Sequence, residues 1–327
     1  MKCSNVLSEL CTETQDFWTS VEVPVIDTSF ENVQEKFVTE ALTRYHPVII
    51  KGLIDNWPAL RLWDRDYLIN KVGDAPVSIN LTPDGRADSV QSIVGEGGKS
   101  VEHFVFPAET KMSMANFFSL LDDNQSSVVA YLSQQNDNLR AETSCLLSDI
   151  AESIPLADKN FGKDKLEAVN LWIGDEKSVS SMHKDHFENM YAVVSGAKTF
   201  VLLPPTDVAF LPSHSYPTCK YIAECDSTTN KYDLSISFQD CPSETLEWVD
   251  LDPDDMELAV QKWPKAHHLR PLHIEVHAGD VLYIPAMWYH RVSQKERTVA
   301  VNYWYDMRFD FRYVSPTTPL HLLNTLK

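Results

Sequence analysis

Basic residues are scarce in this chain: 28 lysines and arginines stand against 47 aspartates and glutamates, a formal net charge of -19. Proteins that grip nucleic-acid backbones present a basic face that displaces counterions, so no direct nucleic-acid partner is expected. Long apolar runs are missing too. Nothing approaches the roughly 18 consecutive apolar residues of a membrane span, and Met1 to Leu10 lacks a charged segment followed by an apolar one. The expectation is a soluble protein of the cytoplasm and nucleus, without membrane contact. Six cysteines (Cys3, Cys11, Cys145, Cys219, Cys225, Cys241) form no CxxC pair, which argues against a zinc finger or a dense disulfide scaffold and for free thiols. Internal repeats and low-complexity tracts are absent as well.

What remains is ordinary globular material: 327 residues, 43% hydrophobic and 23% charged, enough to bury a sizeable core as one compact unit. The acid is concentrated between Glu224 and Glu257, where Lys231 is the only basic residue. That stretch reads as a solvated loop that aids solubility, or as a surface that steers a Lys- or Arg-rich partner.

Helical spacing of Val33, Phe37, Val38, Ala41 and Leu42 predicts an amphipathic helix over 31–44, ended by His46-Pro47. Further helices are expected around Trp63 to Lys71 and Met112 to Asp123. Val48-Ile49-Ile50 reads as a buried strand, and Val77 to Thr82 as a strand stopped by Pro83-Asp84-Gly85. From about Val128 the chain turns to short β segments: 128–133, 169–173, 190–194, 199–203, 272–276, 281–284 and 299–305. The fold class is therefore mainly β with helical additions (α+β), a double-stranded β-helix or jelly roll of cupin type. The expected organisation is an N-terminal region 1–125, a catalytic barrel 126–305 with an insertion at about 206–270, and a segment 306–327. That last segment carries a short apolar helix (Leu320, Leu322, Leu323, Leu326) that caps the barrel or contacts a second copy in a homodimer.

Two segments carry chemistry. In Ser180-Ser181-Met182-His183-Lys184-Asp185, His183 and Asp185 are two apart and share one face of a strand. In Gly279-Asp280-Val281-Leu282-Tyr283-Ile284-Pro285-Ala286-Met287-Trp288-Tyr289-His290, a turn, a strand and a proline-directed bend present a histidine. This second segment resembles a cupin motif, with Met287 where glycine is usual. Two histidines and a carboxylate on one face of a metal leave sites open, the arrangement of non-heme Fe(II) oxygenases. Zinc prefers tetrahedral sites richer in Cys or His, though manganese and zinc remain open on ligand type alone. Lys198, in a strand between Gly196 and Phe200-Val201-Leu202-Leu203, offers a cation for the distal carboxylate of a 2-oxoglutarate co-substrate, with Ser180 and Tyr131 as hydroxyl partners.

Together with Pro47 to Gly52, Trp57-Pro58-Ala59, Tyr131 to Gln135, Val169 to Trp172 and Asn302 to Met307, these segments resemble the JmjC-domain 2-oxoglutarate oxygenases over nearly the whole chain. Within them the chain looks most like a lysyl hydroxylase subfamily related to asparaginyl hydroxylases. The resemblance implies His183, Asp185 and His290 as Fe(II) ligands and Lys198 as the 2-oxoglutarate anchor, supported by Tyr131 and Ser180. Asn189 and Asn302 would line the co-substrate end, with Tyr191 nearby. It also implies O2 as co-substrate, (3S)-hydroxylation of a lysyl residue in developmentally regulated GTP-binding proteins, and a homodimer. A substrate lysine needs an acid or polar partner, for which Asp84, Glu188 and Asp306 are candidates. Other readings are an N-methyl-lysine demethylase, a histone-tail endopeptidase and a non-catalytic metal-binding cupin adaptor. The endopeptidase lacks an HExxH helix or evident nucleophile.

Overall fold

The structure is a computed structural model and describes residues 9, 12–16, 22–94, 98–226, 228–229, 231–239, 241–310 and 312–313. Eight strands follow the period-two pattern that sends alternate side chains to opposite faces: β1 (Leu166–Gly174), β2 (Val179–Lys184), β3 (Phe187–Ser195), β4 (Ala197–Leu203), β5 (Leu272–His277), β6 (Asp280–Ile284), β7 (Tyr289–Gln294) and β8 (Thr298–Asp306). Antiparallel pairing gives two sheets, ordered β6-β3-β8-β1 and β5-β4-β7-β2. This is the expected double-stranded β-helix.

Strand β3 shows how alternation builds the layers. Tyr191 and Val193 point into the barrel, where they pack with Trp172, Phe200, Leu202, Leu282 and Val292. Met190, Ala192 and Val194 point outward into a larger core shared with the N-terminal region. That region is built into the barrel: Val48–Lys51 pairs antiparallel with β6, and Val25–Asp27 pairs parallel with Val48–Lys51. The helix expected over 31–44 spans Val33–Leu42, and its last six residues are wound as a π-helix. The tight β3–β4 turn requires Gly196, whose φ is +73° and where a Cβ would lie 2.5 Å from the Arg297 carbonyl oxygen.

The long interval between β4 and β5 is ordered as strands Ser213–Asp226, Lys231–Ser237 and Thr245–Val249 and helix Met256–Lys262. Its acids are partly committed internally. Asp252 pairs with Arg86 at 2.7 Å and with the buried Arg291 of β7 at 3.7 Å, and Asp254 also pairs with Arg291. The acidic stretch is thus more than a solvated loop, and it is fastened to the strand that carries His290. Among the described residues Cys145, Cys219, Cys225 and Cys241 are free thiols, and no helix is long and apolar enough to cross a membrane. The apolar C-terminal segment Leu320 to Leu326 lies outside the described residues.

One buried charge has a consequence for stability. Asp207 is fully buried, accepts one hydrogen bond from Gln15 at 2.8 Å and leaves its Oδ2 unpartnered. Burial, weakly opposed by Gln15 and Arg270, pushes this carboxyl up to about 7 from an ordinary 3.8. The native state therefore holds a proton that the unfolded chain releases, and stability falls as pH rises from about 4 to about 7. Asp207→Asn keeps the acceptor for Gln15 and removes the charge. It is predicted to match the native protein closely at pH 4 and to exceed it by about 4 kcal/mol at pH 8, measured by urea unfolding at both values.

Candidate metal and co-substrate site

His183 lies near the end of β2 and stands directly across from His290 in the antiparallel register with β7. The two imidazole centroids are 4.2 Å apart. Asp185 follows β2, and its Oδ2 lies 3.8 Å from His183 Nε2 and 3.5 Å from His290 Nε2. One ligand atom from each residue falls within 4.8 Å of the others. Each ring is held from behind: His183 Nδ1–H donates to the Ser181 carbonyl at 2.7 Å, and His290 Nδ1–H to the Trp288 carbonyl at 3.0 Å. That tautomer leaves both Nε2 lone pairs free toward Asp185.

Burial, and next the neighbouring His290, pull His183 down to about 4 against the attraction of Asp185. Burial pushes the Asp185 carboxyl up, but His290 and His183 bring it net below the ordinary carboxylate range. At neutral pH the set is thus an ionised carboxylate and a neutral His183, the protonation states that metal binding demands. The decisive observation is Asp185 Oδ2, buried without a hydrogen-bond partner. A buried orphan acceptor is costly, and a cation between the three residues relieves it. Two imidazoles and one carboxylate, with no thiolate, suit Fe(II).

Met287, the departure from glycine, has φ +65°, and its amide donates to the Asp185 carbonyl at 2.6 Å. The left-handed conformation costs a non-glycine residue roughly 1 kcal/mol. Packing of the buried Met287 side chain with Ala286 and Met307 offsets that cost. The turn thereby ties the carboxylate strand to the histidine strand.

Behind the triad lies Lys198, with no exposed surface. Its ammonium donates to Gln294 Oε1 at 2.5 Å and to the Tyr131 hydroxyl at 3.0 Å, and lies over the rings of Tyr131 (5.3 Å) and Tyr191 (5.8 Å). Ser180 hydrogen-bonds to the Tyr131 hydroxyl. Among the described residues no carboxylate pairs with Lys198, and burial pulls its pKa down to about 7. An uncompensated buried ammonium calls for an incoming anion. Asn302 donates to Asn189 at 3.2 Å and accepts from Asn170 (3.3 Å) and Trp172 (2.8 Å). The cavity beside the triad is lined by Ser180, Asn189, Tyr191, Asn302, Trp172 and Val292.

The expected residues thus converge, but three acids do not. Asp84 caps its own turn by accepting from the Arg86 amide. Glu188 alternates with Asn189 to the outer face and accepts from the Tyr283 hydroxyl at 2.7 Å. Asp306 lines none of the clefts beside the triad. Gln294 is the partner that the sequence reading missed. It is four residues past His290 and so on the same strand face, a signal that alternation alone carries. Gly174 makes room for this cluster, since a Cβ there would lie 2.7 Å from both Gln294 Nε2 and the Tyr131 ring.

Metal binding is testable without turnover. Mn(II) should raise the melting temperature of the native protein but not of Asp185→Ala. In EDTA the variant should melt higher than the native protein, because the unpaired buried carboxylate is gone, by about 1 kcal/mol of stability. Scanning calorimetry with and without metal reads both.

The family model described as a cupin-like domain matches residues 34–311. JmjC domain-containing protein E of Dictyostelium discoideum is 36% identical, over 95% of this chain and 91% of its own length. Lysine-specific demethylase JMJ32 of Arabidopsis thaliana is 38% identical, over 92% and 88%. The human bifunctional peptidase and (3S)-lysyl hydroxylase JMJD7 is 36% identical, over 82% and 79%. The chain belongs to the cupin-like family and, within it, to the JmjC oxygenases, enzymes that use Fe(II), 2-oxoglutarate and O2.

Proposed function

We propose that this oxygenase (3S)-hydroxylates a lysyl residue of a protein substrate, with developmentally regulated GTP-binding proteins as the substrate class, working as a homodimer in the cytoplasm and nucleus. The observation that carries the site assignment is Lys198, a fully buried ammonium without a counter-charge, set behind a His-Asp-His cluster. In this reading His183, Asp185 and His290 hold Fe(II), and Lys198 takes the distal carboxylate of 2-oxoglutarate with Tyr131, Ser180 and Gln294 around it. Asn189, Asn302 and Tyr191 line the co-substrate end. The lysyl assignment is supported by the likeness to a relative named as a (3S)-lysyl hydroxylase.

Bound iron supplies activation of O2 coupled to oxidative decarboxylation of 2-oxoglutarate to succinate and carbon dioxide. The chain itself supplies placement. The Nδ1 hydrogen bonds orient both imidazoles, the Met287 turn fixes Asp185, and the aromatic walls around Lys198 exclude water from the carboxylate it receives. The second reading, N-methyl-lysine demethylation, is favoured by the name of the 38% identical plant relative. Both use the same site on different carbons.

Mass spectrometry of GTPase peptides incubated with protein, Fe(II), ascorbate and 2-oxoglutarate separates these readings. Hydroxylation adds one oxygen to a lysyl peptide, whereas demethylation of a methylated peptide releases formaldehyde. Asp185→Ala should give neither product. Absence of any oxygen gain with the native protein, alongside formaldehyde release, would defeat the hydroxylase reading.

The Lys198 pKa of about 7 also predicts proton linkage. An incoming carboxylate raises that pKa, so 2-oxoglutarate binding takes up close to one proton at pH 8 and almost none at pH 6. Affinity then falls as pH rises above about 7, by at most about tenfold per unit. Calorimetry in buffers of different ionisation enthalpy measures the uptake. Lys198→Met should abolish it and weaken 2-oxoglutarate binding by on the order of a hundredfold or more.

A further inference from the structure

The triad opens onto a cleft walled by Phe104, Trp248, Gln135, Ser181 and Asp88. Trp248, contributed by the segment between β4 and β5, stacks on His183 with centroids 6.1 Å apart and planes 8° from parallel. Phe104 meets Trp248 at 4.7 Å, so two rings make one apolar wall beside the metal ligands. This cleft continues outward into a wider one, and Asp88, Phe106, Ser133 and Gln135 line both. Asp88 thus lies at the junction of the two clefts, beside the triad rather than on it.

Asp88 is held in place by its main chain, while its carboxylate is left unused. Its φ is +52°, an uncommon conformation for a non-glycine residue. Its carbonyl accepts from the Ser181 hydroxyl, and the carbonyl of Ser181 receives His183 Nδ1–H at 2.7 Å. One residue thus couples the position of Asp88 to that of a metal ligand. Among the described residues no hydrogen bond or ion pair to the Asp88 carboxylate occurs. Arg86, two residues before it, pairs with Asp252 at 2.7 Å, Lys184 in the inner cleft lies over the Tyr289 ring at 5.1 Å, and Lys220 lines the outer cleft. Burial alone raises the Asp88 carboxyl, to about 6.

We propose that Asp88 is the specificity residue that receives the ammonium of the substrate lysine, while Phe104 and Trp248 flank the methylene stem. This rests on the lysyl reading above and names the acid that reading requires. In (3S)-hydroxylation the reacting carbon lies near the peptide backbone and the ammonium lies further along the side chain. Its acceptor must therefore sit beside the metal rather than on it. A carboxylate next to an aromatic wall matches a side chain that is apolar along its length and cationic at its tip. A half-buried carboxylate without a partner is costly until a cation arrives, so the pairing discriminates against neutral side chains of the same shape.

The test is calorimetric binding to the protein loaded with Mn(II) and N-oxalylglycine, which cannot turn over. The probes are a lysyl peptide from a developmentally regulated GTP-binding protein and its norleucine counterpart. The native protein should prefer lysine by about tenfold or more. Asp88→Asn should bind the two peptides equally, and Asp88→Glu should restore part of the preference. Binding of the norleucine peptide by both variants with native affinity shows that the cleft is intact. Asp88→Asn that keeps the lysine preference overturns this inference alone. A native protein with no lysine preference overturns the lysyl reading together with it.

Discussion

Strand β7 is the constraint on which the rest of the site depends. It is paired on both sides, so that His290 stands across from His183 of β2 while Gln294, four residues on, stands across from Lys198 of β4. The His-Asp-His cluster and the Lys198 cluster are therefore joined by one strand, and their separation is set by backbone register. A slip of one residue would turn His290 and Gln294 outward together. Several features hold that register. Val292 between them packs in the barrel core, Arg291 on the opposite face is clamped by Asp252 and Asp254, and the Met287 amide fastens the preceding turn to Asp185.

The same barrel carries charges that weaken it in isolation. Among the described residues Asp185 Oδ2 has no donor and the Lys198 ammonium has no carboxylate partner. Each is a cost that a folded domain tolerates only because its cores are extensive and its register is fixed elsewhere. A neutral residue at either position would make a more stable apoprotein with nothing to bind. The two charges are opposite in sign, one suited to a metal and the other to a carboxylate, the pairing that the proposed function uses. The rings of Tyr131 and Tyr191 lie against the ammonium, and no ion pair joins it to Asp185.

Much of this was legible in the sequence where the signal is local. The two-residue spacing of His183 and Asp185, the bend before His290 and the glycine turn before Lys198 are all written within a few residues. The strands of the barrel follow from alternation. What was not legible is whatever depends on the opposite side of a sheet. Asp84, Glu188 and Asp306 are acids near motif residues, but turn capping occupies Asp84, strand alternation sends Glu188 to the outer face, and Asp306 lines none of the clefts beside the triad. Asp88 carries no motif and is brought to the cleft by the parallel pairing of Arg86–Ala87 with β2. Gln294 obeys the right period, yet its residue type gives no hint of a lysine partner. The segment between β4 and β5 reads as acidic and loop-like because its acids are partnered by Arg86 and Arg291, both distant in sequence.

That segment also builds a wall beside the barrel. The triad and Lys198 sit on paired barrel strands, where packing and two-sided hydrogen bonding leave little freedom. The cleft beside the triad is walled on one side by elements outside the eight strands: Trp248 from the segment between β4 and β5, Phe104 and Phe106 from Ser100–Phe106, and Asp88 from the turn after Arg86–Ala87. These elements are joined by pairing of their own, with Thr245–Val249 on Ser213–Asp226 and Ser213–Asp226 on Ser100–Phe106. The outer elements meet the barrel at several points: Trp248 stacks on His183, Asp88 takes the Ser181 hydroxyl, Asp252 and Asp254 clamp Arg291, and Val249 packs with Met182, Leu203 and Tyr289. In the proposed function, metal and co-substrate accordingly fall to the barrel and the choice of substrate to the wall built against it.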